Sequence, residues 1–139
     1  MAQIAVAPYV LKDVIMQIGT DTYEMHCSSV LFTPSTSVLT WQGLTPAAAF
    51  SDSTSPSWTC TLNYAQDWVT ANSLSQYLST NSNTQKAAIF KPQGVTTGKP
   101  IFTATLIIAP GPIGGDVNTV QVGTVTLGVV GVPVKTVAP

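Results

Sequence analysis

One short stretch with strict alternation constrains the fold of this chain more than any other. Its apolar members are Trp58, Cys60, Leu62 and Tyr64, and its polar members are Thr59, Thr61 and Asn63. A period of two places successive side chains on opposite faces of a β-strand. We therefore predict a strand with one buried apolar face and one face that is rich in hydroxyl groups but uncharged.

The composition extends this lack of charge to the whole chain. Only 8% of the 139 residues are charged, against about a quarter in ordinary globular domains. The net charge is -1 and arginine is absent. A nucleic-acid-binding protein needs a basic footprint and a membrane-surface protein needs a basic amphipathic segment, so both classes are disfavoured. No apolar run has the length needed to span a bilayer.

A nearly neutral surface with few charges favours self-association. We therefore expect much of this surface to contact other copies of the same chain. The alternative is a neutral surface that is simply soluble.

The pattern along the chain predicts one domain that is mainly β, a β-sandwich or barrel with a single flanking short helix. The predicted strands cover residues 12–18, 22–33, 57–66, 85–91, 101–109 and 119–130. A helix begins after Asn72 or Ser73, where Leu74, Tyr77 and Leu78 form one apolar stripe. We expect strand 22–33 to pair with 57–66, and strand 101–109 to pair with 119–130.

Three segments are predicted to lie outside the strands. Residues 1–11 are expected to form an extended N-terminal arm, and residues 131–139 a C-terminal tail. Residues 34–56 are expected to form a long loop, and loops of this length are commonly functional or disordered. Such a loop either orders on assembly or is a mobile surface loop.

Alternation assigns side chains to the two faces of the predicted strands. The predicted core residues are Tyr23, Met25, Trp58, Cys60, Leu62, Tyr64, Leu74 and Leu78. The predicted polar faces hold Glu24, His26, Ser28, Thr59, Thr61, Asn63, Thr103 and Thr105.

Groups that carry catalysis are sparse. His26 is the only histidine, and its neighbour Cys27 should point to the opposite face of the strand, so the two cannot form a nucleophile pair. The acidic residues are scattered, and the phosphate-loop-like GVTTGK at 94–99 has the wrong spacing and precedes a strand. We predict that the chain is not an enzyme and has no cofactor or metal site, and that Cys27 and Cys60 are buried free thiols.

The ordered set of motifs resembles the major tail tube protein of long-tailed, non-contractile bacteriophages, especially the short single-domain versions in phages of actinobacteria. The resemblance covers about residues 10–133. It is carried by VLKDVIMQIG, TWQGLTP, WTCTLNYAQDW, SLSQYL, the FKP turn and ATLIIAPGPIGGDVNTVQVGTVTLGVVGVP.

This resemblance implies a structural protein of the virion, assembled in the bacterial cytoplasm. Six copies would form a ring, and stacked rings would form the tube through which double-stranded DNA passes. Four long strands of each copy, 22–33, 57–66, 101–109 and 119–130, would form a shared inner β-barrel. The N-terminal arm, the 34–56 loop and the C-terminal tail would dock neighbouring copies. The other expected partners are the tape-measure, tail terminator and baseplate hub proteins; no membrane is involved.

On this reading the polar strand faces would line the bore of the tube. The hypothesised bore-lining residues are Glu24, His26, Ser28, Thr59, Thr61, Asn63, Thr103 and Thr105. Hydroxyl groups without lysine would let DNA phosphates slide rather than bind.

Two other classes remain open. One is a different virion β-protein, such as a capsid decoration or tail-completion protein, which would form closed rings or trimers. The other is a carbohydrate-binding β-sandwich, which needs an exposed aromatic platform that Trp41, Trp58 or Trp68 could supply. Trp58 is expected in the core and Trp68 at the start of the helix.

Overall fold

The computed structural model describes residues 2–139 and shows a mainly β domain with one short helix. The strands are β1 (Ile15–Ile18), β2 (Asp21–Thr22), β3 (Cys27–Ser35), β4 (Val38–Gln42), β5 (Ala49–Ser53), β6 (Ser57–Ala65), β7 (Gln85–Lys91), β8 (Pro100–Ile107) and β9 (Val122–Val137). The helix α1 covers Leu74–Thr80.

Seven strands form one antiparallel sheet in the order β2-β1-β7-β8-β9-β6-β3, and β4 and β5 form a separate hairpin. The sheet curls strongly. Phe32 on β3 and Phe90 on β7 lie four places apart in the sheet order, yet their ring centroids are 5.9 Å apart. In a flat sheet that separation would be about 19 Å, because neighbouring strands lie about 4.8 Å apart. The sheet is therefore a curled half-barrel, which agrees with the barrel rather than the sandwich among the two expected forms.

The alternating strand β6 holds the sheet together. It pairs with β3 from Ser57 to Tyr64 and with β9 from Trp58 to Ala65, antiparallel on both sides. Both expected strand pairs are present, since β3 pairs with β6 and β8 pairs with β9. The alternation therefore fixes which face of three neighbouring strands is buried, because a slip of one residue would reverse all of their side chains.

The core lies on the concave face of the sheet, against α1. Leu74 and Leu78 of the helix are fully buried with Met16, Ile18 and other apolar side chains of the sheet. The helix begins where the sequence predicts, with Ser73 as its N-cap residue. The spacing of Ser73 and Gln76 predicts a capping box, but none forms, because Ser73 Oγ donates to the carbonyl of Asp67 and Gln76 Nε2 donates to the carbonyl of Trp68.

The predicted core residues on β6 and α1 are buried: Cys60, Leu62, Tyr64, Leu74 and Leu78. Tyr23 is also buried. Trp58 is only half-buried, because it lies near the end of β6 where the core face opens.

Met25 was predicted in the core and is instead 96% exposed. The predicted strand 22–33 is interrupted by a turn, in which the backbone N–H groups of His26 and Cys27 both donate to the carbonyl of Tyr23. Alternation does not continue through a turn, so Met25 at its apex points to solvent.

The predicted C-terminal tail is also wrong, because β9 continues to Val137 and its last part pairs with β8. Two additional residues are accommodated between the pairs Thr105 with Val130 and Thr103 with Val134. Gly131 has a φ of 76° at this irregularity, a conformation that glycine adopts without strain. The sequence GVP therefore marks a bulge and not the end of the strand.

The segment 34–56 is a β-hairpin rather than a structureless loop. It prolongs the β3–β6 pair, since Ser35 pairs with Ser57, and β4 then pairs with β5 from Val38 opposite Ser53. The backbone N–H of Thr54 donates to the carbonyl of Ser37 at 2.8 Å and joins the two paired regions. Five-residue strands of this kind carry too little alternation to be recognised in the sequence.

We predict that Leu62→Ala lowers the free energy of unfolding by about 2–5 kcal/mol, because it leaves a cavity under the central strand. Urea unfolding followed by tryptophan fluorescence measures this change. Val69→Ala is the matched control at a side chain that is 93% exposed, and it should change stability by less than about 0.5 kcal/mol. Equal effects of the two substitutions would contradict the assigned core.

Candidate functional site

The outer face of the curled sheet carries a continuous surface of small, uncharged side chains. Strand register defines its members on β3, β6, β8 and β9. They are Ser29, Leu31, Thr33, Ser35, Ser57, Thr59, Thr61, Asn63, Ala65, Ile101, Thr103, Thr105, Ile107, Val122, Thr124, Thr126, Gly128, Val130, Val134 and Thr136. We call this surface the hydroxyl face, and none of these side chains is ionisable.

Cross-strand hydrogen bonds order the centre of the hydroxyl face. Thr124 Oγ1 donates to Asn63 Oδ1 at 2.6 Å, and the hydroxyl oxygens of Thr61 and Thr126 lie 3.4 Å apart. Both pairs connect directly opposite residues on β6 and β9. Such pairs contribute about 0.2–1 kcal/mol each, so their main effect is to hold the polar groups in fixed positions.

This composition is unusual for a sheet face that is not covered by its own chain. Antiparallel sheets commonly place polar side chains outward, and exposed edge strands commonly carry charges that prevent pairing with other molecules. Here the edge strand β3 presents Leu31, 58% exposed, and no charge on this face. The hydroxyl face and its edge therefore lack the usual protection against association.

The structure brings together five of the predicted polar-face residues. Thr59, Thr61, Asn63, Thr103 and Thr105 all lie on the hydroxyl face, although they come from two strands separated by β9.

The other three predicted polar-face residues lie elsewhere, and for them the prediction is wrong. Glu24 and His26 belong to the turn before β3 and not to a strand. Ser28 sits at a register irregularity of β3, where its Oγ donates to the carbonyl of Asn63 at 3.3 Å. The physical reason is again the turn, which breaks the alternation on which all three assignments depended.

The sequence analysis includes strand 119–130 in the inner barrel but assigns none of its residues to this face. Thr124 and Thr126 alternate with Val125 and Leu127, both buried, so the same period-two signal was present there. The part of the face beyond Gly131 could not be found, because the bulge changes which residues point outward.

Several polar side chains lie close together at the turn formed by Tyr23–His26, beneath the helix. Tyr23 contacts His26 with ring centroids 5.6 Å apart and Tyr77 at 5.5 Å. Burial, with smaller effects of Asp21 and Tyr77, raises the pKa of Tyr23 to about 12. Within residues 2–139, the buried atoms Tyr23 Oη, Glu24 Oε2 and His26 Nδ1 have no hydrogen-bond partner. These groups are not arranged as a nucleophile with a base.

Asp67 organises the loop that leads into the helix. Its Oδ1 accepts backbone N–H groups of Val69 at 3.0 Å and Thr70 at 3.1 Å. A side-chain hydrogen bond with Thr70, then these backbone bonds and the nearby His26, lower the pKa of Asp67. Its role is thus explained by loop structure.

The hairpin of β4 and β5, which we call the arm (residues 36–56), has two different faces. Register places Leu39 opposite Asp52 and Trp41 opposite Phe50, so one face is apolar and aromatic except for Asp52. Trp41 is 64% exposed and Phe50 61% exposed. The reverse face carries Thr40 and other small or polar side chains. A lone two-stranded hairpin is at best marginally stable in water, so this arm needs a partner surface.

The N-terminal segment, residues 2–11, has no regular secondary structure and is exposed throughout. Ile4 and Val6 are 89% and 85% exposed. Met1, the first residue of the predicted N-terminal arm (residues 1–11), lies outside the described residues. Together with the hairpin arm, this segment forms a second apolar surface that the subunit does not cover.

Residues 2–139 contain no group of three or more potential metal-ligating side chains. Within the same residues, no helix combines the length and apolar character required to cross a bilayer.

Cys27 and Cys60 are both free thiols on adjacent strands; Cys60 is buried as predicted, whereas Cys27 is only half-buried. Burial, with a smaller effect of Glu24, raises the pKa of Cys27 to about 11. Burial likewise raises the pKa of Cys60 to about 12, with a smaller effect of Cys27. Buried, apolar surroundings of this kind make a thiol inert.

No protein-family model and no curated protein matches the chain.

We predict that both thiols resist alkylation at pH 8 in the native protein. Raising the pKa from 9 to about 11 lowers the thiolate fraction of Cys27 at pH 8 roughly 100-fold, and raising it to about 12 lowers that of Cys60 roughly 1000-fold. Burial slows the reaction further. Iodoacetamide labelling followed by mass spectrometry, with and without urea, measures the difference. Since folding favours the neutral thiols, they stabilise the fold at pH values below their ordinary pKa. That stabilisation disappears as the pH rises through 11 to 12. Rapid native labelling of both thiols would contradict the assigned burial.

Proposed function

We propose that this chain is a structural subunit that assembles into the tail tube of a long-tailed bacteriophage. In this proposal six copies form a ring, stacked rings form the tube, and DNA passes through the bore. The observation that carries the proposal is the hydroxyl face, a surface that spans four adjacent strands without an ionisable side chain.

An uncharged hydroxylated wall suits the passage of DNA. Lysine and arginine bind phosphates and release counterions, so a cationic wall would retain the duplex. Carboxylates would repel it. The hydroxyl groups of Thr61 and Thr126, directly opposite each other, offer weak and exchangeable contacts instead.

The edges of the sheet support self-association. β3 ends the sheet on one side with nine residues, and its outer backbone groups have no neighbouring strand. The other side ends in β2, which has only two residues. Unpaired edges are a liability that closed barrels remove. A neighbouring copy that covers the β3 edge would remove it there, whereas β8 is not an edge because β7 already pairs with it.

The dimensions of such a barrel are compatible with this role. Four strands from each of six copies, spaced about 4.8 Å apart and tilted near 40°, give a backbone diameter of roughly 48 Å. Side chains would reduce the bore to about 40 Å, which is wide enough for duplex DNA. In this proposal β3, β6, β8 and β9 supply the four strands.

One observation favours a second candidate, a carbohydrate-binding module. Trp41 and Phe50 are a cross-strand pair on the exposed face of the arm, and aromatic faces bind sugar rings. Isothermal titration with a panel of oligosaccharides tests this candidate. Saturable binding that is lost in Trp41→Ala would favour it over the tube.

Negative-stain microscopy of the concentrated protein tests the class directly. We expect hollow filaments built from stacked rings. Closed rings or trimers that do not stack would favour a capsid decoration or tail-completion protein instead. A protein that stays monomeric at every concentration, including after addition of preformed tail tips as initiators, would overturn the proposal.

The orientation of the hydroxyl face in the tube has its own test. We predict that Thr61→Cys reacts with a small maleimide in tubes but is protected there from a polyethylene-glycol maleimide larger than the bore. Val69→Cys, in the loop before α1 on the opposite side of the sheet, is the control and should react with both reagents. Cys60 is buried, Cys27 is half-buried, and the pKa of each thiol is raised, so the background should be low. Equal labelling of both positions by the large reagent would place the hydroxyl face outside the tube.

A further inference from the structure

We propose that the aromatic face of the arm binds an apolar groove on a second copy of this chain, at the free edge of β3. This inference rests on the proposed function and names the contact that joins neighbouring subunits. It identifies both partners of that contact by residue.

The groove lies where the edge strand β3 approaches β7 across the curled sheet. It has a volume of about 320 Å³. Its lining comes from the N-terminal segment and from β3, β6, β7, β8 and β9, and includes Leu31, Phe32, Trp58 and Phe90. No lining residue carries a charge. A groove with this composition is suited to aromatic and aliphatic side chains.

The groove contains one polar group without a partner. Trp58 Nε1 is buried and has no hydrogen-bond partner within residues 2–139. A buried N–H group without a partner is destabilising, so an acceptor brought by another molecule would favour binding. A hairpin supplies such acceptors through its carbonyls and hydroxyl groups.

The arm matches the groove in chemistry. Its aromatic face presents Leu39, Trp41 and Phe50, with Asp52 as the one charged side chain of the arm. Trp and Phe each bury about 150–250 Å² when they are covered. The groove offers no charge to pair with Asp52, which lies directly opposite Leu39 on the aromatic face, so Asp52 has to stay at the solvated rim while Trp41 and Phe50 enter the groove.

The direction of the arm excludes its own groove as the binding site. The arm continues the ladder of β3 and β6 past Ser35 and Ser57, away from the core. The groove borders the part of β3 and β6 that lies nearer the core, at Phe32 and Trp58. No residue of the arm lines the groove of its own subunit, and Trp41 and Phe50 remain exposed. The groove of another copy is therefore the matching surface.

A contact between an arm and a groove is heterologous, because two different surfaces of the same molecule meet. Each copy keeps one free arm and one free groove, so such contacts propagate into rings or open filaments. The free edge of β3 beside the groove also offers unpaired backbone groups to the incoming hairpin.

Two kinds of variant separate the partners of this contact. Trp41→Ser/Phe50→Ser removes the aromatic anchors of the arm, and Leu31→Glu places a charge in the groove. Thr33→Glu is the matched control, on the same strand and the same face but outside the groove lining. Leu39→Glu is a second arm variant that keeps the aromatic pair intact. Circular dichroism and thermal melting verify that each variant is folded.

Sedimentation velocity then measures self-association. We expect the arm variants and Leu31→Glu to self-associate at least about tenfold more weakly than the unmodified protein, while Thr33→Glu is close to it. An equimolar mixture of Trp41→Ser/Phe50→Ser with Leu31→Glu should form heterodimers that grow no further. In that mixture one intact arm meets one intact groove, and no other pairing is available.

The outcomes distinguish this contact from the proposed tube. If Leu31→Glu assembles like Thr33→Glu, or if the two variants do not pair in the mixture, the arm–groove contact is wrong even when tubes form. If the mixture pairs but the unmodified protein forms no tube, the contact stands and the tube proposal fails. A protein that remains monomeric at all concentrations would overturn both.

Discussion

The structure depends on the two-sided pairing of one strand. β6 hydrogen-bonds with β3 along one side and with β9 along the other, while Cys60, Leu62 and Tyr64 are buried beneath it. Packing on one face and pairing on both edges leave only one register in which the apolar side chains reach the core. The hydroxyl face is the necessary reverse of this arrangement, because each buried side chain on β6 is followed by one that points outward.

The central strand could be predicted from the sequence because its alternation is uninterrupted over seven residues. β7 could also be predicted, and its predicted bounds are those of the structure. The helix could be predicted from the apolar stripe Leu74 to Leu78. These elements share one property: their side-chain pattern is set by contact with a single core. The class of the fold, mainly β with one short helix, follows from them.

The parts that could not be predicted are those where geometry changes within a strand. The turn at Tyr23–His26 interrupts an apparently regular pattern, and it moved Met25, Glu24 and His26 from their assigned positions. The bulge at Gly131 has the opposite effect, since it continues a strand through residues that usually end one. The curling of the sheet is likewise absent from the pattern, because it comes from long-range contacts such as Phe32 with Phe90. The arm was expected as a loop because its short strands pack on nothing in their own subunit.

The hydroxyl face has a further consequence that concerns conditions rather than contacts. None of its side chains on β3, β6, β8 and β9 gains or loses a proton near neutral pH. Its electrostatic character is therefore constant across acidic and alkaline surroundings, and it has no fixed charge for salt to screen. A molecule that moves along this surface would therefore meet the same uncharged groups whatever the pH and the salt concentration of its surroundings.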